Sequence, residues 1–327
     1  MMPLSLKRLQ FSVAAALLAA APAAFAQDAA RYPDRPLRLI VPFAPGGGLD
    51  ITARLLGHKL TEQWGQNIVV DSRPGAATIV GTEIAAKAAA DGYTILMITT
   101  TFAINPGLYP KLPYDPVRDF APVTQLNTQP NVIVITPSAA AGTVRDLIAL
   151  AKAKPGELTY ASPGSGSAPH LSAELFQRMA GIRMIHVPYK GSPAAVTDVI
   201  GGRITMLFTT TISAAPHVKS GKLRAVGVTS TAVSPLVPEL PTLAATYPGL
   251  VSTNTYMLYA PPGTPAAITA QLRNDVRRIW DDKDTRERLG VLGLDMLWLE
   301  GADLSHRIDA DLAKWAAVVK AGNIKAE

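Results

Sequence analysis

Apolar positions along the chain follow two rhythms. Short runs rich in β-branched and aromatic residues predict strands over residues 37–41, 68–70, 93–98, 132–135, 159–162, 184–187, 205–208, 223–229 and 256–260. Between them, Ala- and Leu-rich stretches with helical spacing predict helices over residues 50–64, 80–90, 143–154, 170–179 and 194–201. Two amphipathic helices, near residues 266–280 and 304–319, close the chain. Strands that alternate with helices predict an α/β fold of mostly parallel sheets flanked by helices.

The rhythm breaks twice, in proline-rich passages at residues 105–130 and 235–248. Such passages fit segments that cross between lobes. Two crossings predict a discontinuous first lobe, residues 27–128 and 250–327, around a continuous second lobe, residues 129–249. Ahead of both, Lys7 and Arg8 precede an uncharged stretch that ends Ala24-Phe25-Ala26 before Gln27. A positive start, an apolar middle and a small-x-small end predict an export signal, residues 1–26, cleaved after Ala26. The stretch is mostly Ala and contains Ser12 and Pro22, which argues against a membrane anchor. The expected location is the periplasm.

Composition narrows the chemistry. There is no cysteine in 327 residues, which excludes disulfides, thiolate nucleophiles and Cys-ligated metals. Removing residues 1–26 takes two of the 31 basic residues and none of the 25 acidic ones, so 29 minus 25 leaves a formal charge of +4. The basic residues are diluted: Arg273, Arg277, Arg278, Arg286 and Arg288 alternate with Asp275, Asp281, Asp282, Asp284 and Glu287. That pattern reads as a solvated helix face, so no nucleic-acid partner is expected.

The informative chemistry lies in two loops of one design, each leaving a strand and entering a helix. The first is Pro42-Phe43-Ala44-Pro45-Gly46-Gly47-Gly48-Leu49-Asp50, where glycines let backbone N–H groups approach a ligand and Asp50 is placed to cap the helix. The second is Ser162-Pro163-Gly164-Ser165-Gly166-Ser167-Ala168-Pro169-His170, which adds hydroxyls. Helix N-termini carry unpaired N–H groups and partial positive charge, so both loops are natural anion seats. Such loops also serve as packing turns. A dinucleotide reading of Gly46-x-Gly48, with Asp71 further on, fails because Ile51 stands where the third glycine is needed. Neither Ser165 nor Ser167 sits in a G-x-S-x-G elbow, and His58, His170, His186, His217 and His306 form no metal-binding spacing. Neither a cofactor nor a metal is expected, and no catalytic group. His170, beside the second loop, stays open between a ligand contact and a capping role.

The ordered motifs carry a resemblance. Tyr32-Pro33-x-Arg35-Pro36, Val41-Pro42-Phe43-Ala44-Pro45-Gly46-Gly47-Gly48-x-Asp50 and Asp91-Gly92-Tyr93-Thr94 lead the series. Leu112-Pro113-Tyr114-Asp115-Pro116, Tyr160-Ala161-Ser162-x-Gly164-x-Gly166-Ser167 and His186-Val187-Pro188-Tyr189-Lys190-Gly191 follow. Gly221-Lys222-Leu223-Arg224-Ala225 and Ala260-Pro261-Pro262-Gly263-Thr264-Pro265 complete it. Across essentially the whole mature length the chain resembles the Bug or TctC-like family, the substrate-binding components of tripartite tricarboxylate transporters.

The resemblance implies a two-lobed type II periplasmic-binding-protein fold, with the ligand in the inter-lobe cleft. It implies a small organic carboxylate as ligand, whether a dicarboxylate, a tricarboxylate or an aromatic acid, passed on to membrane subunits of the transporter. A receptor that presents its closed form to a sensor protein is the alternative. Carried over residue by residue, the ligand contacts would come from Phe43, Gly46 and Gly48, from Ser165, Gly166 and Ser167, and from Gly191 and Ser192 at the distal part, with a monomer as the working unit. The chain departs from the family at Phe208-Thr209-Thr210-Thr211, where many relatives carry Asp-Asn, and this makes Thr209 a candidate contact. It also departs at Thr255 and at Ala77-Thr78-Ile79. Without that carboxylate a ligand ammonium would lack a partner, so an acid without an amine is expected.

Overall fold

The computed structural model describes residues 32–231, 237, 239–322 and 324. The export signal and its cleavage point at Ala26 lie outside these residues, as does part of the second proline-rich passage.

Leu37–Val41 (β1), Ile68–Ser72 (β2) and Thr94–Thr99 (β3) pair in parallel, with β1 in the middle. Ala121–Ile135 (β4) is a long strand that serves two sheets. Thr159–Ser162 (β5), Ile185–Pro188 (β6) and Met206–Thr210 (β7) form a second parallel set around β5. Arg224–Val228 (β8), Thr253–Ala260 (β9) and Asp295–Leu299 (β10) complete the strands, all antiparallel to β4. The order is β2-β1-β3-β9-β4-β7-β5-β6, with β8 and β10 also on β4.

The passage at residues 105–130 is therefore not an irregular crossing. Its first residues finish a helix, and from Ala121 it is strand. Along β4, residues up to Pro130 pair with β9, and from Asn131 onward with β7 and β8. The chain thus changes sheet inside one strand, at a proline that needs no ladder donor. Register shifts near Pro122 and Gln125 break the period-2 signal that would have revealed it.

The helices are Gly48–Trp64 (α1), Ile79–Ala86 (α2), Thr101–Leu108 (α3), Val144–Ala153 (α4), Ala168–Ala180 (α5), Ser192–Ile200 (α6), Thr211–Lys219 (α7), Leu243–Thr246 (α8), Ala266–Asp281 (α9), Lys283–Val291 (α10) and Gly301–Gly322 (α11). Local chemistry sets their ends: Thr143 and Asp146 form a reciprocal capping box on α4, and Gly181 ends α5 in the left-handed conformation. The alternating arginines and aspartates occupy two helices rather than one face, broken at the N-cap Asp282. There Arg277–Asp281 and Arg288–Asp284 pair along the helices.

Both sheets are buried on two faces. In β1, Leu37, Leu39 and Val41 face one apolar cluster with Leu56 and Trp280, while Ile40 faces another with Phe102 and Tyr259. In β4, Ile133 and Ile135 face Phe176 and Phe208, whereas Val132 and Val134 face Val196 and Val199. Period-2 alternation of apolar residues to both sides is what a sheet sandwiched by helices requires. A fifth cluster bridges the sheets' helical layers: Ile104 and Leu108 of α3, Leu171 of α5, and Trp315 and Val319 of α11. Among the described residues, no helix is long and apolar enough to cross a membrane.

Candidate functional site: a cleft walled by helix N-termini

The first glycine loop runs from β1 into α1. Gly46 lies in the left-handed region at φ +82°, and its N–H donates to Asp50 Oδ2 at 2.9 Å. Arg54 Nε donates to the same oxygen at 2.9 Å, so the buried Asp50 carboxylate pegs the loop rather than capping the helix outright. The N-cap is Gly47, and no side chain accepts from the first turn of α1. That turn keeps its N–H groups for another acceptor.

The second loop runs from β5 into α5 and is held from within. Ser167 N-caps α5, accepting from His170 N at 3.4 Å, and its hydroxyl donates to Gly164 O at 2.7 Å. Gly166 N–H donates to His170 Nδ1 at 3.1 Å. The His170 ring is buried and stacks on His186, centroids 4.1 Å apart. Burial, with His186 as a second cause, pushes the His170 pKa down to about 3, so the ring is neutral and free to accept.

Two further helix starts face the first loop. Gly191, at φ +137°, N-caps α6, and Thr210 N-caps α7; neither end has a side-chain cap. The lobes touch closely here. A Cβ on Gly191 would stand 3.1 Å from Ala44 Cβ, and one on Gly46 would stand 3.5 Å from Pro193 Cγ. Ser192 Oγ and Thr209 Oγ1 share a hydrogen bond of 3.0 Å behind that contact.

Between these ends lies a small cavity of about 30 Å³. Phe43, Gly47, Gly48 and Thr99 line one side, Ser167, Gly191, Ser192 and Thr210 the other, and Asn254 and Tyr256 of β9 the floor. No charged side chain lines it. A second cavity of about 320 Å³ shares Phe43, Pro163 and Ser167 with the first, and adds Ser165, Tyr109 and Lys190. Its wall includes Ala76, Ala77 and Thr78, consecutive residues with φ of +43°, +50° and +77°. The Ala77 carbonyl in this left-handed turn accepts from Asn105 Nδ2 at 2.9 Å.

The structure brings Phe43, Gly48, Ser167, Gly191 and Ser192 together around the first cavity and places Ser165 in the second. It puts Gly46, Gly166, His170 and Thr209 on neither wall. The place a Gly166 side chain would occupy is filled by Leu108 and Asn105, His170 braces its loop from behind, and Thr209 turns to Ser192. Thr210, one residue on, reaches the cavity instead. Thr99, Asn254 and Tyr256 were not anticipated from sequence. Thr99 and Thr210 end their strands, where ligands of open α/β sheets collect, and that rule would have found them. Asn254 and Tyr256 share one face of β9 by period-2 spacing.

Chemically, the cavity offers positive helix ends from both sides and no acid or base. Each N-terminus carries roughly half a positive charge and donors that act without desolvating a cation. Among the described residues, no three His, Cys, Asp or Glu side chains gather to hold a metal ion. Two α/β layers joined by shared strands, with such a cleft between them, define a solute-binding receptor.

Comparison with known proteins gives the family. Residues 52–324 match the sequence model described as Tripartite tricarboxylate transporter family receptor, TctC. Protein BugT of Bordetella pertussis is 35% identical over 292 residues, 88% of this chain and 90% of BugT. R. palustris Rpa4515, solved with adipate, is 33% identical with a TM-score of 0.87, covering 90% of this chain and all (100%) of that one. MatC of Rhodopseudomonas palustris, solved with bound malate, is 28% identical with a TM-score of 0.83, covering 88% of this chain and 100% of MatC. The chain belongs to the TctC family of tripartite tricarboxylate transporter receptors. It has their two-lobed fold, and members of this periplasmic family are binding proteins, not enzymes.

Proposed function

We propose that the protein, freed of residues 1–26 in the periplasm, captures a small organic carboxylate between its lobes and hands it to the membrane subunits of a tripartite tricarboxylate-type transporter. The lobes are residues 27–128 with 250–327, and residues 129–249, and the monomer is the working unit. One observation carries the reading: uncapped helix N-termini from both sides converge on a cavity with no charged side chain. A carboxylate there accepts from Gly48 and its successors on one side and from the starts of α6 and α7 on the other. A guest that touches both lobes selects the closed form. The relatives solved with adipate and malate support a carboxylate guest.

The guest carries no amine. Neither cavity has an Asp or Glu on its wall, and a buried ammonium without a carboxylate partner is costly. Thermal melting with mono-, di-, tricarboxylic and aromatic acids tests the reading. A cognate acid at about 100 times its Kd stabilises by about 2.7 kcal/mol, a rise of about 4–5 °C for a chain of this size. Titration calorimetry showing tight aspartate or glutamate binding without binding of deaminated acids would refute it. Loss of uptake of the bound acid on gene deletion tests delivery.

A further inference from the structure

We propose that Asn105 is a positioning residue for the guest: it fixes a left-handed turn beside the first sheet as the seat on which the second glycine loop rests, although it lines neither cavity itself. The inference rests on the receptor reading above but not on which acid binds.

The turn is costly on its own. Ala76, Ala77 and Thr78 carry φ of +43°, +50° and +77°, a region that residues with a Cβ avoid and that a β-branched threonine avoids most. Such a conformation persists only where its surroundings enforce it. Here the enforcing group is Asn105, wholly buried on α3. Its Nδ2 donates to Ala77 O at 2.9 Å and to Thr78 Oγ1 at 3.3 Å, which spends both of its hydrogens on the turn. The Tyr114 hydroxyl stands further off, at 3.5 Å.

The other side of the same amide faces the loop that leaves the second sheet. A Cβ on Gly166 would stand 2.8 Å from Leu108 Cδ1, 3.3 Å from Asn105 Oδ1 and 3.9 Å from Ala77 Cβ. Gly166 therefore lies directly on a floor made by α3 and the turn, and its own φ of +77° admits no larger residue without strain. Both partners of this contact wall the second cavity: Ala76, Ala77 and Thr78 from one side, Gly164, Ser165 and Ser167 from the other. Ser167 also reaches the first cavity. One buried amide thus sets the spacing between two walls that come from different sheets.

Hydrogen exchange read by mass spectrometry on the mature protein, Asn105→Ala and Asn105→Ser tests the inference, after melting curves establish which variants fold. In Asn105→Ala the amides of residues 75–80 should exchange about tenfold faster, and so should those of residues 164–168 across the contact, while the strand amides of residues 132–135 and 206–210 keep their rates. Asn105→Ser, which retains a shorter polar group, should fall between; if Asn105→Ala does not fold, the serine variant carries the comparison. Adipate, malate, citrate and benzoate are then titrated calorimetrically, and those that bind the wild type should bind Asn105→Ala about tenfold more weakly. Faster exchange confined to residues 75–80 and α3 overturns the proposal, since Asn105 would then support its own sheet alone. Unchanged affinity with both walls loosened overturns it as well. If none of the four acids binds while exchange rises in both segments, the seat is upheld and the carboxylate reading fails instead.

Discussion

The two glycine loops perform one task with different means. The first is pegged by a charge: buried Asp50 takes the Gly46 N–H and the Arg54 guanidinium, and the helix behind it starts uncapped. The second is pegged by a neutral ring: His170 takes the Gly166 N–H, and Ser167 caps the helix. The difference separates holding a loop from leaving it hungry. The first loop leaves the start of α1 without a side-chain acceptor; the second has used several of its own donors on itself. Much of the second lobe's donor supply therefore comes from α6 and α7, whose ends have no side-chain cap.

The largest effect is expected where the first loop meets the opposite wall. A Cβ on Gly48 would lie 2.4 Å from Ile212 Cγ2 and 2.6 Å from the Tyr256 hydroxyl. Ile212 is β-branched and buried, and Tyr256 is fixed by Gln129, so neither yields easily. Gly48→Ala should hold the lobes apart and cost about 1–3 kcal/mol in closure, an affinity loss of about 5- to 150-fold. Calorimetry with the acid found by melting measures it. Affinity within threefold of wild type would show that the lobes need not meet at Gly48.

The neutral peg differs from the charged one in its response to acid. The folded His170 pKa, about 3, lies below the ordinary 6.5, so the unfolded chain binds the extra proton between these values. Its contribution to stability is complete above pH 6.5 and is lost as pH falls toward about 3. The slope reaches at most about 1.4 kcal/mol per pH unit. The groups around it are His186, Tyr160 and Glu174, whose Oε1 lies 3.9 Å from His170 Nε2. His170→Phe should cost about 1–2 kcal/mol at pH 7, for the lost acceptor of Gly166, and should flatten the stability profile between pH 6.5 and 4. Denaturant melts across that range decide; an equally steep decline in the variant would place the titration elsewhere.

Sequence patterning showed the repeating frame well because apolar strands bounded by glycine and proline are local signals. Residues 37–41 and 159–162 were expected as strands, and the structure has the same bounds. Elements whose stability comes from distant contacts were illegible. The last four residues of β4, 132–135, were expected as a strand, but its first part hides behind prolines and a polar run, Thr124 to Asn131, that is buried only because β9 and β10 cover it. α7 was missed because Thr209, Thr210 and Thr211 favour strand and Pro216 sits inside the helix. α10 has too few apolar residues to show a face, and β10 is short. The site divided likewise. Glycines announced both loops, whereas Asn254 and Tyr256 reach the cleft only through the register of β9.

The smallest effect sharpens the comparison most, because it asks the first loop to behave like the second. Gly47 sits at the N-cap of α1 with φ −82° and ψ 169°, a conformation that serine adopts readily there. A Cβ would meet nothing nearer than Ala44 O at 3.8 Å. Gly47→Ser should therefore fold without strain and stabilise the protein by a few tenths of a kcal/mol, since serine outranks glycine as a cap by about that much. The new hydroxyl would accept from the first-turn N–H groups that now face the cavity. Melting temperature and affinity should then move in opposite directions: a slightly more stable protein, and a several-fold weaker hold on the acid. If both rise together, the uncapped end of α1 is not what the guest uses.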